Sequence, residues 1–314
     1  MSTLVRIGTR GSPLALWQAR TVAGLLESRG GRIEILTIKT AGDRLQDRPH
    51  DAAASRGKGV FVKEIEDALL AGHIDVAVHS AKDMSAALPD GLAIAGVLAR
   101  ADPRDALVVR EATAGLPFAD LVARVGASPV IATGSVRRSA QLSSLIPGAR
   151  FVPIRGNVDT RLRKLDAGDF DALVLAAAGM TRLGYAVRIS APIPVELCIP
   201  APGQGIVAIE TRADDRGVRA LVDPINDASA AVCFDAERTL VSALGGGCQV
   251  PLGALAVHTA EGRLHMRAVV TSLDGRRSIR RDGDGPADRA ADLGRRVADE
   301  LAKAGAAAIL DEVR

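Results

Sequence analysis

The chain has 314 residues, more than one hydrophobic core usually supports, so two or three domains are expected. Apolar residues make up 47% of it, which excludes a mainly disordered chain. The balance of 40 Lys+Arg against 37 Asp+Glu leaves a charge of only +3, and aromatics are 2%, so neither a broad basic face for duplex nucleic acid nor stacking platforms for single strands are available.

The first ten residues, MSTLVRIGTR, hold no apolar core of signal-peptide length, and no apolar run approaches the roughly 18 residues of a membrane span. A cytoplasmic chain with no membrane partner is the expectation. LVRIGT has the pattern of a strand. Ser12 and Pro13 then supply an N-cap and a first helical position ahead of LALWQARTVAGLLES, and Gly30 and Gly31 end that helix. Arg32 to Lys39 is a second strand candidate. The polar stretch from Ala41 to Gly59 is longer than most connections within a compact domain and is expected to be a lid or a loose loop. FVKEIEDALLAG predicts a second helix and IDVAVHS a third strand, running into AKDMSAALPDG.

After LARADPRDA the alternation resumes with PVIAT, a helix over about Val136 to Ser144, RFVPI, a helix near Asp159 to Asp166, and DALVLAAAG. A second α/β domain of like build is expected. APIPVELCIPAPGQG breaks the pattern and fits a return crossing toward the first domain. From about Asp227 come a helix ending near Leu244, the turn GGGCQVP, two or three strands and a closing Ala-rich helix, which suggest a small α+β domain. The expected division is 1–100 with 200–222, then 101–199, then 223–314.

The three cysteines, Cys198, Cys233 and Cys248, are odd in number and widely spaced, which argues against a disulfide framework. Without CxxC pairs or histidines at i, i+4 spacing, no zinc site is expected. In LGGGCQVP the glycines allow close approach of a bulky group, so the Cys248 thiol is presented on a turn; burial as a small hydrophobe is the competing reading. Arg10, Arg137, Arg138, Arg155, Arg161 and Arg182 each follow a predicted strand end or open a helix. That is where an open α/β sheet binds ligands and where N–H groups favour anions. Guanidinium forks match carboxylates, so their recurrence suggests a ligand with several acid groups, although any one of them is commonly a solvated surface charge. VHSAKD sets Ser80, Lys82 and Asp83 just past a buried strand, a place where aspartates also merely cap turns. PAPGQGIVA matches a dinucleotide fingerprint in letters only, because prolines stand where its strand should be and IVAIE is strand-like where its helix should begin. RGKG lacks the upstream glycine of a P-loop.

In this order, GTRGSPLALWQA, GKGVFVKEIEDAL, VHSAKD, GSVRR, IRGNVDTRL, PAPGQG and LGGGCQVP closely resemble the porphobilinogen deaminase (hydroxymethylbilane synthase) family, from about Arg6 to Gly253. The resemblance implies two periplasmic-binding-protein-like α/β domains with an active cleft between them, and a small C-terminal α+β domain that carries the cysteine. It implies a monomeric transferase of heme and tetrapyrrole biosynthesis, with small-molecule porphobilinogen as substrate. Four porphobilinogens are joined head to tail with loss of ammonia, on a dipyrromethane cofactor bound through a thioether to Cys248, and water releases hydroxymethylbilane.

By the same resemblance Asp83 is the catalytic carboxylate, stabilising the cation formed as ammonia departs. Lys82, Asp83, Thr133, Ser135, Arg137 and Arg138 are expected to face the cofactor. Arg10, Ser12, Gln18, Arg155, Arg161, Arg182 and Gln204 are expected to face substrate or growing chain, and Lys58 belongs to a lid excluding water. Two departures stand out. The family's GTSS is Ala132-Thr133-Gly134-Ser135, losing one hydroxyl, and Ala81 replaces a larger residue in HSxKD. The rival class is a non-catalytic anion-binding protein of the same architecture, which leaves the cysteine turn without a role.

Overall fold

The computed structural model describes residues 4–46, 61–110, 115–245 and 250–313, without the side chains of 44–46. Lys58 and Cys248 lie outside the described residues. The strands are β1 (Leu4–Thr9), β2 (Arg32–Thr37), β3 (Val76–Ser80), β4 (Leu92–Val97), β5 (Asp105–Val109), β6 (Val130–Ala132) and β7 (Arg150–Val152). There follow β8 (Ala172–Ala176), β9 (Ala191–Pro192), β10 (Val207–Arg212), β11 (Leu252–His258), β12 (Arg263–Thr271) and β13 (Ser278–Pro286). They fall into two compact units, one of Met1–Ala101 with Ile206–Val232 and one of Asp102–Gly205 with Cys233–Arg314.

The first unit is built on a five-stranded sheet of order β2-β1-β3-β10-β4. β1 runs parallel to β2 and β3, and β10 runs antiparallel to β3 and β4. Both faces are covered, so β3 is apolar over Val76–Val78 and its residues alternate between two clusters. Val76 and Val78 join the cluster under the helix Pro13–Glu27, while Ala77 joins Ile65, Leu69, Ile74 and Leu92 on the opposite face. The helix Pro13–Glu27 starts where predicted. Ser12 accepts a hydrogen bond from the Ala15 N–H, Pro13 sits at the first turn, and Ala15, Ala19, Val22, Ala23 and Leu26 form the buried stripe. Truncating the fully buried Leu26 to alanine removes about 2–5 kcal/mol on general cavity grounds.

The second unit repeats the plan with order β7-β6-β8-β5-β9, again with three parallel strands and one antiparallel strand, β5, beside an edge. Alternation recurs on β5, where Leu107 faces one cluster and Ala106 and Val108 the other. Its C-terminal part adds the antiparallel sheet β11-β12-β13, backed by the helix Ala290–Lys303. β11 and β12 are tied to the Pro-rich segment by the Ala254 N–H, which donates to the Pro200 carbonyl at 2.9 Å, and by Ile199 packed on Leu255 and Val269.

Several elements depart from the sequence pattern. β4 and β5 are strands in stretches that the alternation does not single out, and Ala41–Gln46, read as part of a long polar loop, opens as a helix. A reciprocal cap accounts for that start: Asp43 accepts from the Thr40 N–H (3.1 Å) and hydroxyl (2.8 Å), and the Asp43 N–H donates to Thr40 Oγ1 (3.3 Å). Among the described residues no helix is long and apolar enough to cross a membrane.

Candidate functional site

In the first unit the neighbouring strands β1 and β3 deliver their chemistry at their carboxyl ends, the edge at which open α/β sheets bind ligands. Past Thr9, Arg10 donates through Nε (3.0 Å) and Nη2 (2.5 Å) to Asp43 Oδ1, and its guanidinium lies 4.1 Å over the Phe61 ring. Burial pushes the Asp43 carboxyl up, but the Arg10 hydrogen bond and charge more than offset this, and the group lies below its ordinary value. Past β3, Ala81–Asp83 form a 3-10 turn that leaves Lys82 and Asp83 half-buried. Among the described residues none donates a hydrogen bond to the Asp83 carboxylate. Gln18, on the predicted helix, is buried; its Nε2 donates to Ser80 Oγ (2.9 Å) and its Oε1 accepts back (3.2 Å), so it fixes the root of that turn.

The same unit holds a buried acid cluster that no sequence signal marks. His79 Nε2 lies 3.0 Å from Glu210 Oε2, and among the described residues one buried oxygen each of Glu66 and Glu210 has no hydrogen-bond partner. Burial and the Glu210 charge raise the Glu66 carboxyl above its ordinary value.

In the second unit Ser135 caps the helix Val136–Ser143, and the paired arginines that follow point inward. Their focus is Asp105, at the start of β5 and fully buried. Arg137 donates from Nη1 to Asp105 Oδ2 (2.8 Å) and from Nη2 to Oδ1 (3.1 Å), and Arg138 donates from Nε to Oδ1 (2.8 Å). Gln204 completes the shell, with Nε2 donating to Asp105 Oδ1 (2.9 Å) and to the Pro103 carbonyl (2.7 Å). Burial alone would raise the Asp105 carboxyl, but Arg137 and Arg138 hold it far below the carboxylate range. Cys198 Sγ, 3.4 Å from the same carboxylate, is pushed up to about 12 by burial and by Asp105.

Two arginines around one aspartate leave one positive charge over, and two more guanidiniums add to it. Arg161 donates from Nε to the Gly156 carbonyl (2.8 Å), and burial, with the charge of Arg138, depresses it to about 10. Arg182 donates to the Gly205 carbonyl (2.6 Å) and is lowered by burial. A cation depressed by burial and by another cation is relieved by an anion, so this unit fits a ligand bearing acid groups. Thr133 is buried, with Oγ1 accepting from the Ser135 N–H (3.3 Å), and Arg155 is exposed. Gly134 has a local cause: a Cβ there would sit 2.9 Å from the Ile154 carbonyl oxygen, so the backbone leaves no room for the family's serine.

The structure thus gathers Arg137, Arg138 and Gln204 about a carboxylate, with Arg161 and Arg182 attached to nearby carbonyls, and sets Arg10, Ser12, Lys82 and Asp83 at adjacent strand ends. Asp105 and Glu66 are the residues that sequence reasoning missed. Among the described residues no group of three metal-ligating side chains occurs.

Two mixed sheets of one strand plan with polar turns at their carboxyl ends, followed by a small antiparallel sheet backed by a helix, define the expected α/β class with an added α+β C-terminal part. The family model "Porphobilinogen deaminase, dipyromethane cofactor binding domain" matches residues 5–220, and "Porphobilinogen deaminase, C-terminal domain" matches 231–303. Porphobilinogen deaminase of Syntrophomonas wolfei is 46% identical over 316 residues, covering 99% of each chain, and that of Syntrophobacter fumaroxidans is 45% identical over 99% of this chain and 98% of its own. The second substrate-binding domain of a putative amino acid ABC transporter from Streptococcus pneumoniae aligns at 12% identity and TM-score 0.42 over 77% of this chain and 95% of its own. The chain belongs to the porphobilinogen deaminase family. It is a transferase of heme and tetrapyrrole biosynthesis with a dipyrromethane cofactor-binding domain.

Proposed function

We propose that the chain joins four porphobilinogen molecules head to tail, expelling ammonia at each step, on a dipyrromethane primer held by Cys248 through a thioether, and then frees linear hydroxymethylbilane by hydrolysis. The bound cofactor supplies the pyrrole carbon to which incoming units are joined. Asp83 accepts hydrogen bonds from pyrrole N–H groups and stabilises the positive charge that develops as the amine leaves. Lys82, Thr133, Ser135, Arg137 and Arg138 serve the cofactor's acid groups. Arg10, Ser12, Gln18, Arg155, Arg161, Arg182 and Gln204 serve those of substrate and growing chain, and Lys58 the exclusion of water. Arg137 and Gln204 also orient Arg138 through Asp105, to whose carboxylate all three donate. The enzyme is proposed to work as a cytoplasmic monomer, with 1–100 and 200–222, 101–199, and 223–314 as its three domains.

The observation that carries this reading is the surplus of guanidinium charge around Asp105 and Arg161, which answers a ligand carrying an acetate and a propionate on every ring. Intact-mass spectrometry tests it. Protein from porphobilinogen-replete cells is expected to carry two linked pyrroles that Cys248→Ala lacks; an unmodified polypeptide mass overturns it. In loaded protein, Asp83→Asn is expected to lower kcat by about a hundred- to a thousandfold, and near-normal turnover removes Asp83 from its role.

A further inference from the structure

A cavity of about 460 Å³ lies in the second unit, where the segment Val195–Ile199 crosses one face of the sheet β11-β12-β13. That volume is within the range of small-molecule sites, about 300–1,000 Å³. Its floor is apolar, from Val195 and Ile199, and three arginines line it: Arg267 on β12, Arg280 and Arg281 on the edge strand β13. Strand register brings Arg267 and Arg280 together. Arg267 stands opposite Asp282 and Val269 opposite Arg280, so these alternate residues of two paired strands turn to the face that Ile199 covers. Arg281, opposite Ala268, starts from the other face and lines the cavity at the sheet edge.

How these guanidiniums are held matters more than their number. Arg280 donates from Nη1 to the Glu196 carbonyl (2.6 Å) and from Nη2 to the Leu197 carbonyl (3.3 Å), and Arg281 donates to the Arg280 carbonyl (2.7 Å). Main-chain carbonyls orient a guanidinium without neutralising it. Among the described residues neither Arg280 nor Arg281 has a carboxylate within ion-pair distance. Arg267 is pinned from two sides: Nη1 donates to Glu196 Oε1 (2.6 Å), and Nε donates to His265 Nε2 (3.4 Å), whose Nδ1 lies 2.9 Å from Asp284 Oδ1. Glu196 is exposed and free to yield its place, since exposed ion pairs contribute only about 0–1 kcal/mol.

We infer that this cavity is a binding site for a small dicarboxylate with an apolar body about one ring in size. One acid displaces Glu196 from Arg267, the other lies on Arg280 with the charge of Arg281 at the sheet edge, and the ring rests on Val195 and Ile199. Asp282 at the lining disfavours ligands with more acid groups. The inference is independent of the proposed reaction and shares no residue with it.

Calorimetric titration of the cofactor-loaded full chain with isophthalate tests it, with benzoate as the one-acid control. The expected result is saturable isophthalate binding at a Kd of about 1 mM or tighter, and benzoate about tenfold weaker. Exchanging both exposed arginines, Arg280→Ala with Arg281→Ala, should weaken isophthalate at least about tenfold, whereas Asp83→Asn leaves it unchanged. Glu196→Gln frees Arg267 and should tighten binding about two- to fivefold, a gain that a misfolded variant cannot produce. No saturable heat, equal binding of benzoate, or isophthalate binding untouched by the arginine exchanges overturns the site.

Discussion

A carboxylate as deeply buried as Asp105 is tolerated only because two guanidiniums and an amide reach it at hydrogen-bond distance. Asp105→Asn leaves those guanidiniums buried without a counter-charge and is expected to cost about 3–5 kcal/mol at neutral pH. The folded-state carboxyl lies below its unfolded value, so this contribution is complete above pH ~4 and lost as pH falls further. Urea midpoints of wild type and variant should therefore converge in acid; a gap constant down to pH ~2 overturns the charge argument. Glu66 has the opposite sign. Its folded-state carboxyl is raised, so ionising it inside the fold costs stability as pH climbs above its unfolded value of ~4.3. Glu66→Gln mimics the protonated acid and removes the buried charge beside Glu210, so it should stabilise by about 1 kcal/mol at pH 8 and by nothing at pH 4. Thermal midpoints at the two pH values decide that. Neither residue was legible in the chain, because Asp105 finds Arg137 and Arg138 across 32 and 33 positions and Glu66 meets Glu210 from another element.

At the scale of elements, legibility followed burial pattern. The helix Pro13–Glu27 and the strand β3 declared themselves, the first by its cap and stripe, the second by the apolar run Val76-Ala77-Val78. β5 stayed hidden because it opens on an aspartate, and a charge at a strand end reads as loop until its counter-ions are known. Arg137 and Arg138 were legible as an acid-binding motif, yet their inward direction ran against the expectation that charged helix positions face water. Close approach between helices was also invisible. A Cβ on Gly294, in the helix Ala290–Lys303, would stand 2.3 Å from the Ala236 carbonyl oxygen and 3.1 Å from Thr239 Cβ. Gly294→Ala therefore sets a helix-propensity gain of about 1 kcal/mol against backbone overpacking of about 1–3 kcal/mol. Overpacking wins because a carbonyl in a helix cannot swing aside, and a net loss in urea stability is the expected outcome; a net gain would show that the helices part easily.

Across the whole molecule, covalent order and compactness divide the chain differently. The family models meet between residues 220 and 231, whereas residues 206–232 are compact with the first unit and the C-terminal sheet with the second. A strand plan that borrows β10 from late in the chain explains why linear motifs revealed the order of parts better than their limits. The buried state of Cys198 and Cys233 has a practical corollary. With one thiol pushed up to about 12 and the other enclosed, alkylation of the native protein at mild pH should sense nothing but Cys248. On the proposed attachment at Cys248, iodoacetamide then becomes a gauge of how many chains carry their primer: native loaded protein should stay unlabelled, native empty protein should take one label, and unfolding should raise the empty form to the full three cysteines. Label entering the loaded native enzyme would mean that the sulfur was never capped.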